Sequence, residues 1–365
     1  MTPIPSIFNA YGSEYIARYP NLPPAHLTTM QAICACRTGA YGYSLYTCQR
    51  CGQPHRLSHA CGNRHCPQCQ HHKARQWLHT QLHKQLPGPY FLLTFTIPAT
   101  LRPFCRSHPR LAYQAMFKAS SEALKRLARD ERFIGTDLPG FPGILHTWGR
   151  QLQYHPHIHS IVPGGGLAKD RAAWLPSRAN FYVPVKALSP VSRAIFKAEM
   201  HPAGLVEQIA PQAWHTAWNV HSQANPHGAT SLQYLAPSVF KVAIANRRLV
   251  SLQDRIVTFT YRKPGSTRPR TTQLDVLECM RRFLQHVLPS GFMQVRHFGF
   301  MSASCAINTL DIRRMMAETN GATPEPPPTQ DDPSPPLSCP HCGGELLIIM
   351  RVLPSQGAFV DTGCD

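Results

Sequence analysis

Acidic residues, long apolar runs and internal repeats are all scarce in this chain, and each scarcity removes a class of protein. Nineteen Asp and Glu stand against 37 Lys and Arg, a formal charge of +18 over 365 residues. Phosphates attract such an excess at long range, so nucleic acid is the expected partner. No apolar run reaches the roughly 20 residues that span a bilayer, so no membrane partner is expected. Met1 to Ala10 lacks a basic start followed by a long apolar stretch, which predicts a cytoplasmic protein. In that reducing compartment, 13 cysteines are expected to be metal ligands rather than disulfides.

Between Cys34 and Cys69 aliphatic residues are few, while seven cysteines and His55, His59 and His65 crowd together. Such a segment cannot build a core without metal, and it predicts a zinc-held module within residues 1–85. Thiolate and imidazole ligands favour Zn²⁺, and the candidates are Cys36, Cys48, Cys51, Cys61, His65, Cys66 and Cys69. The simplest pairing joins Cys48-x-x-Cys51 to Cys66-x-x-Cys69 and leaves Cys36, His55, Cys61 and His65 for a second ion, but spacing alone leaves the pairing open. Cys339-Pro-His-Cys342 repeats the knuckle as half a site, with only His341 and Cys364 near it in sequence. Four-ligand sites have no open position, so the zinc is expected to fold the module, with Arg64, Lys73 and Arg75 gripping nucleic acid from its surface.

Downstream, periodicity predicts a basic amphipathic helix over 73–82, a strand over Tyr90–Ile97, a helix over 107–129 and a strand over Ile144–Gln153. Further strands are expected at Phe181–Val185, Ala217–Gln223 and 255–262, and helices at Pro190–Met200 and 273–287. This order predicts an α+β domain over 86–318, a central antiparallel sheet flanked by helices. A Pro-rich linker over 319–338 and a CxxC tail over 339–365 follow. Cys105, Cys279 and Cys305 read as small buried apolar residues.

Tyr154-His-Pro-His-Ile-His-Ser-Ile-Val puts His155, His157 and His159 at strand spacing, so all three imidazoles share one face. His157 and His159 are expected to hold a divalent catalytic ion, Mg²⁺ or Mn²⁺, with His155 as a third ligand or, better, a partner beside the site or on a phosphate. His146 and Gln153 are further polar candidates. A cation that polarises a phosphoryl oxygen needs a nucleophile, and Tyr234 in Ser-Leu-Gln-Tyr-Leu-Ala-Pro-Ser is the best candidate. Lys241, Arg247 and Arg248 follow closely and suit a DNA backbone.

His157-Ile158-His159 resembles the His-hydrophobic-His mark of HUH endonucleases. The stretch from His146 through Gly166 resembles the rolling-circle transposases of the insertion-sequence class whose type member is numbered ninety-one. The resemblance extends to Cys61-Gly-Asn-Arg-His65-Cys66-Pro-Gln-Cys69, Phe181-Tyr-Val-Pro-Val-Lys186, Tyr234-Leu-Ala-Pro, Val242-Ala-Ile-Ala-Asn246-Arg247, His286-Val-Leu-Pro-Ser-Gly-Phe292 and Arg296-His297-Phe298-Gly299. It implies metal-assisted attack by tyrosine on one DNA strand, a 5′-phosphotyrosine intermediate, and single-stranded or hairpin element ends as substrate. Family members of this type carry a second tyrosine four residues after the first; Ser238 stands there instead. A one-tyrosine enzyme is therefore expected, with a catalytically decayed DNA-binding copy or an HUH relaxase or replication initiator as alternatives.

Overall fold

The computed structural model describes residues 3–226, 228–239, 243–263, 265–320 and 337–354. The chain opens with two helices, α1 (Ile4–Arg18) and α2 (Pro24–Cys34), each begun by a proline whose fixed φ suits a first turn. Then come β1 (Tyr43–Cys48), β2 (Pro54–Ser58), α3 (His71–His83) and β3 (Tyr90–Thr96). Helices α4 (Arg102–Ser107) and α5 (Pro109–Ala128) lead to β4 (Phe141–Trp148), β5 (Tyr154–Pro163), β6 (Gly165–Leu167) and β7 (Trp174–Pro176). Next are α6 (Val185–Met200), α7 (Gln212–His215), β8 (Asn219–Asn225) and α8 (Gly228–Val239). The hairpins of β9 (Leu249–Gln253), β10 (Ile256–Arg262) and β11 (Pro269–Asp275) precede α9 (Val276–Leu284), β12 (Val295–Phe298), α10 (Thr309–Asn320) and β13 (Leu346–Val352).

The central sheet has five strands in the order β12-β4-β5-β3-β8, all pairs antiparallel. Its middle strand is β5, and alternation decides what each face holds. Tyr154, Pro156, Ile158 and Ser160 are buried toward one side; His155, His157 and His159 are partly buried on the other. The first face packs on α5 and α6, where Phe91, Leu93, Phe95, Leu145, Ile158 and Val162 meet Phe117, Leu124, Leu188 and Phe196. The second face is covered over half its length: Leu232, Leu235 and Val239 of α8, with Trp77, Leu78 and Leu82 of α3, pack on Tyr90, Leu92, Ile144 and Ile161. The other half of this face carries the histidines.

The opening helices pack into the body of the chain. Ile4, Ile7, Phe8, Tyr15 and Ile33 share a core with Phe259, Val276, Met280 and Phe283, and Phe8 meets Phe283 edge to face at 5.5 Å. Asp275 caps α9 by accepting from the N–H groups of Leu277 and Glu278, a contact worth about 1 kcal/mol. β13 returns across the chain to pair with β1 in a three-stranded sheet, β13-β1-β2.

Several sequence expectations differ from the outcome. Phe181–Val185 is not a strand; Tyr182 and Val183 enter the core from an irregular segment, since apolar alternation buries side chains even where no neighbouring strand offers a ladder. The following helix begins at Val185 and runs through Pro190. The predicted helix over 273–287 is shorter, because Pro269–Asp275 pairs with β10 instead.

Candidate metal centres

The register of β4 against β5 sets His146 opposite His157, and Ile144 opposite His159. Because facing residues share a sheet face, His146 joins the β5 histidines. Ring centroids lie 4.8 Å apart for His146 and His159, 4.7 Å for His157 and His159, and 5.5 Å for His146 and His157. One ring nitrogen from each comes within 4.8 Å of the others. The hydrogen bonds around the trio prepare it for a cation. His157 Nδ1 donates to the carbonyl of His155 at 2.6 Å, which leaves Nε2 with its lone pair. His159 Nδ1 lies 3.0 Å from Thr94 Oγ1, on the neighbouring strand at the facing position. His146 stacks on Trp148 at 4.8 Å, and its Nε2 is buried with no partner among the described residues, an orphan that a metal ion would satisfy. Burial holds all three rings neutral: His157 is pushed down to about 4, and His146 and His159 are also lowered by desolvation. A neutral imidazole is the ligand form.

His155 stands outside this trio. Its Nδ1 accepts from Arg102 Nη2 at 2.8 Å, the place beside the site that its spacing allowed. Sequence reasoning named His146 only as a polar candidate; its ligand-like placement comes from the β4–β5 register. Tyr234 is on α8, 65% exposed, on the helix whose buried side covers the same sheet face as the histidines. α8 runs through Pro237 and position 238.

Two thiolate clusters form, and their pairing differs from the simplest expectation. Cys36, Cys61, Cys66 and Cys69 converge, with Sγ separations of 3.3 Å for Cys36 and Cys69 and 3.4 Å for Cys61 and Cys69. Cys48 and Cys51 instead meet Cys339 and Cys342. His65, expected as a ligand, is buried in a different role: its Nε2 accepts the Leu288 N–H at 3.3 Å. In the first cluster burial raises the Cys36 thiol, while hydrogen bonds from neighbouring thiols lower Cys61; a bound cation would favour the thiolate form of all four.

The basic residues divide. Lys73 and Arg75 are exposed on α3, which packs beside α8, and Arg247 is exposed. Arg248 is spent on carbonyls, with Nε donating to Thr260 O at 2.8 Å and Nη2 to Arg150 O. Arg64 likewise donates to Phe292 O, so both brace the fold. Lys241 lies outside the described residues. A cleft of about 720 Å³ that sequence reasoning missed is lined by Arg102, Arg106, Gln153, Tyr154, Arg281 and Arg282. Glu278 offsets only Arg281 and Arg282, at 2.6 Å each, so the cleft keeps a net positive charge. Arg102 links it to the histidine row, since His155 and His157 are 5.2 Å apart by ring centroid.

A family model described as "Putative transposase" matches residues 140–308, which contain the histidine trio, and one described as "Transposase zinc-binding domain" matches residues 7–97. The chain thus falls in the class of transposases that carry a zinc-binding domain, enzymes that act on DNA. It is 34% identical over 320 residues to "Putative transposase y4qJ" of Sinorhizobium fredii, covering 82% of this chain and 80% of that one. It is 28% identical over 294 residues to the transposase for insertion sequence element IS801 of Pseudomonas savastanoi pv. phaseolicola, covering 75% and 70%. The protein belongs to the IS91 family of insertion-sequence transposases. No solved structure matches it. Among the described residues, no helix is long and apolar enough to cross a membrane.

Proposed function

We propose that this transposase binds single-stranded or hairpin element ends and cuts and rejoins them by the HUH reaction, with Tyr234 as nucleophile. The observation that supports this reading best is the placement of His146, His157 and His159 together on the sheet face against which the helix carrying an exposed tyrosine packs. His157 and His159, with His146, would hold a divalent ion. Bound there, it would withdraw charge from a non-bridging oxygen of the scissile phosphate and favour the phenolate over the phenol. An imidazole donor set ranks first-row transition ions above Mg²⁺, which makes Mn²⁺ the better of the two expected activators.

The Tyr234 oxygen attacks phosphorus and its proton leaves to solvent. The bond from phosphorus to the 3′ oxygen breaks, and that oxygen takes up a proton as a 3′-hydroxyl. The phosphotyrosine ester conserves the bond energy, so a 3′-hydroxyl of another strand can reverse the step without ATP. The cleft beside Arg102 and Arg106 would guide the strand toward the histidines, with Lys73 and Arg75 of α3 engaging phosphates on the α8 side. With Ser238 four residues on, the reading is a one-tyrosine enzyme.

The test is a nicking assay on end-labelled single-stranded DNA carrying the element end, with Mn²⁺ or Mg²⁺, resolved on a denaturing gel. A metal-dependent covalent adduct that disappears in Tyr234→Phe is expected. Folded protein that binds these ends without forming any adduct would instead identify a decayed DNA-binding copy.

A further inference from the structure

We propose that Cys48, Cys51, Cys339 and Cys342 form a second structural zinc site, split across the chain, that fastens the C-terminal segment onto the N-terminal domain. The transposase zinc-binding match ends at residue 97, so half of this site lies far outside it. Cys48 and Cys342 place their Sγ atoms 3.4 Å apart, and Cys51 and Cys339 theirs 3.8 Å apart. All four sulfurs lie within 4.8 Å of one another. A tetrahedral ion with Zn–S bonds of about 2.3 Å needs sulfurs about 3.8 Å apart.

The two halves repeat one backbone design. Gly52 N–H donates to Cys48 O at 2.9 Å, and Gly343 N–H to Cys339 O at 2.8 Å. Cys48 N–H donates to Gln53 O and Cys339 N–H to Gly344 O, the same offset of five residues. The residue after the second cysteine is in each case a glycine with positive φ, +69° at Gly52 and +72° at Gly343, a conformation other residues adopt at a cost. Two congruent knuckles facing each other across an antiparallel β1–β13 pair make a ribbon whose four thiolates converge on one point. Gly344 N–H points to Cys342 Sγ at 3.4 Å, and His55 Nε2 lies 3.3 Å from Cys339 Sγ, placed to donate to a charged sulfur.

Apolar packing does not account for the association. Among the described residues the local core has Cys48, Cys339 and Leu346 as its buried members, while Ile348 and Ile349 of β13 are 44% and 64% exposed. A core this small needs an ion to order it.

The experiment uses the intact protein purified with zinc. Zinc per chain, measured by mass spectrometry of the metal after desalting, should be one lower in the double variant Cys339→Ser, Cys342→Ser than in the intact chain, both carrying His146→Ala so that the histidine trio does not add to the count. Differential alkylation of the unmodified chain removes dependence on how the variant folds: Cys339 and Cys342 should resist N-ethylmaleimide until a chelator is added, then react together with Cys48 and Cys51. Cobalt loaded in place of zinc should show thiolate charge-transfer absorption that falls by about half in the double variant. Immediate alkylation of Cys339 and Cys342 in zinc-loaded protein, or a double variant that holds as much zinc as the chain with all four cysteines, would overturn the assignment.

Discussion

The sulfur clusters and the histidine cluster are built in opposite styles. Each sulfur cluster brings four sulfurs within 4.8 Å of one another, a full set for a tetrahedral ion, so an ion held there would have no coordination position left for a substrate. The histidine cluster brings three nitrogens from the pleat of two strands, beyond the stretch of that face on which α8 and α3 pack. Three ligands would leave an ion a coordination position for a phosphate. On the proposed reading, cysteine builds the parts that hold the fold and histidine the part that acts.

The sharpest way to break that comparison is to remove the nucleophile alone. Tyr234 is exposed and touches no core cluster, so Tyr234→Phe should leave thermal stability and zinc content unchanged while lowering adduct formation by at least about 1000-fold. Residual cleavage through a covalent intermediate in that variant would move the nucleophile elsewhere. Next in size is Cys66→Ser, which leaves a four-thiolate cluster with three sulfurs. Cys66 is buried against the core formed by α1, α2 and α9. Loss of that zinc should destabilise the opening domain by several kcal/mol, seen as a lower urea midpoint together with one zinc fewer per chain. His146→Ala should do the reverse, keeping both zinc ions while raising the Mn²⁺ concentration needed for half-maximal nicking about 10- to 100-fold. Unchanged Mn²⁺ dependence would make His146 a packing residue stacked on Trp148.

How much of this was legible in the sequence follows the range of the interactions. The strand carrying His155, His157 and His159 could be read because its alternation is local, and the cysteine-rich module because its composition excludes an ordinary core. His146 was visible as a residue but not as a ligand, since only the pairing of β4 with β5 sets it opposite His157. The partners of Cys48 and Cys51 were hidden for the same reason, lying nearly 300 residues away by chain and adjacent only through the β1–β13 ladder. Arg64 and Arg248 looked like DNA contacts because charge is visible in sequence, whereas the backbone carbonyls that occupy them are not. The cleft of Arg102, Arg106, Arg281 and Arg282 escaped notice because two distant helices build it.

The smallest expected effect concerns a histidine outside every metal cluster. His286 is fully buried, with Nδ1 3.1 Å from Thr147 Oγ1 and Nε2 3.2 Å from Leu152 O, and desolvation pushes it down to about 3 from an ordinary value near 6.5. The unfolded chain therefore binds a proton at His286 between those values while the folded chain does not. Its neutral burial is free of penalty above pH 6.5, and stability is lost as pH falls from there toward 3. At pH 5 the loss from this one group is about 2 kcal/mol, since each pH unit below 6.5 costs about 1.4 kcal/mol. His286→Gln keeps a polar side chain but cannot titrate, so its urea unfolding free energy should fall less between pH 7 and pH 5 than that of the unaltered chain, by about that amount. An equal fall in both proteins would mean that His286 takes up its proton in the folded state, and that the acid sensitivity belongs to other groups, such as the buried His65.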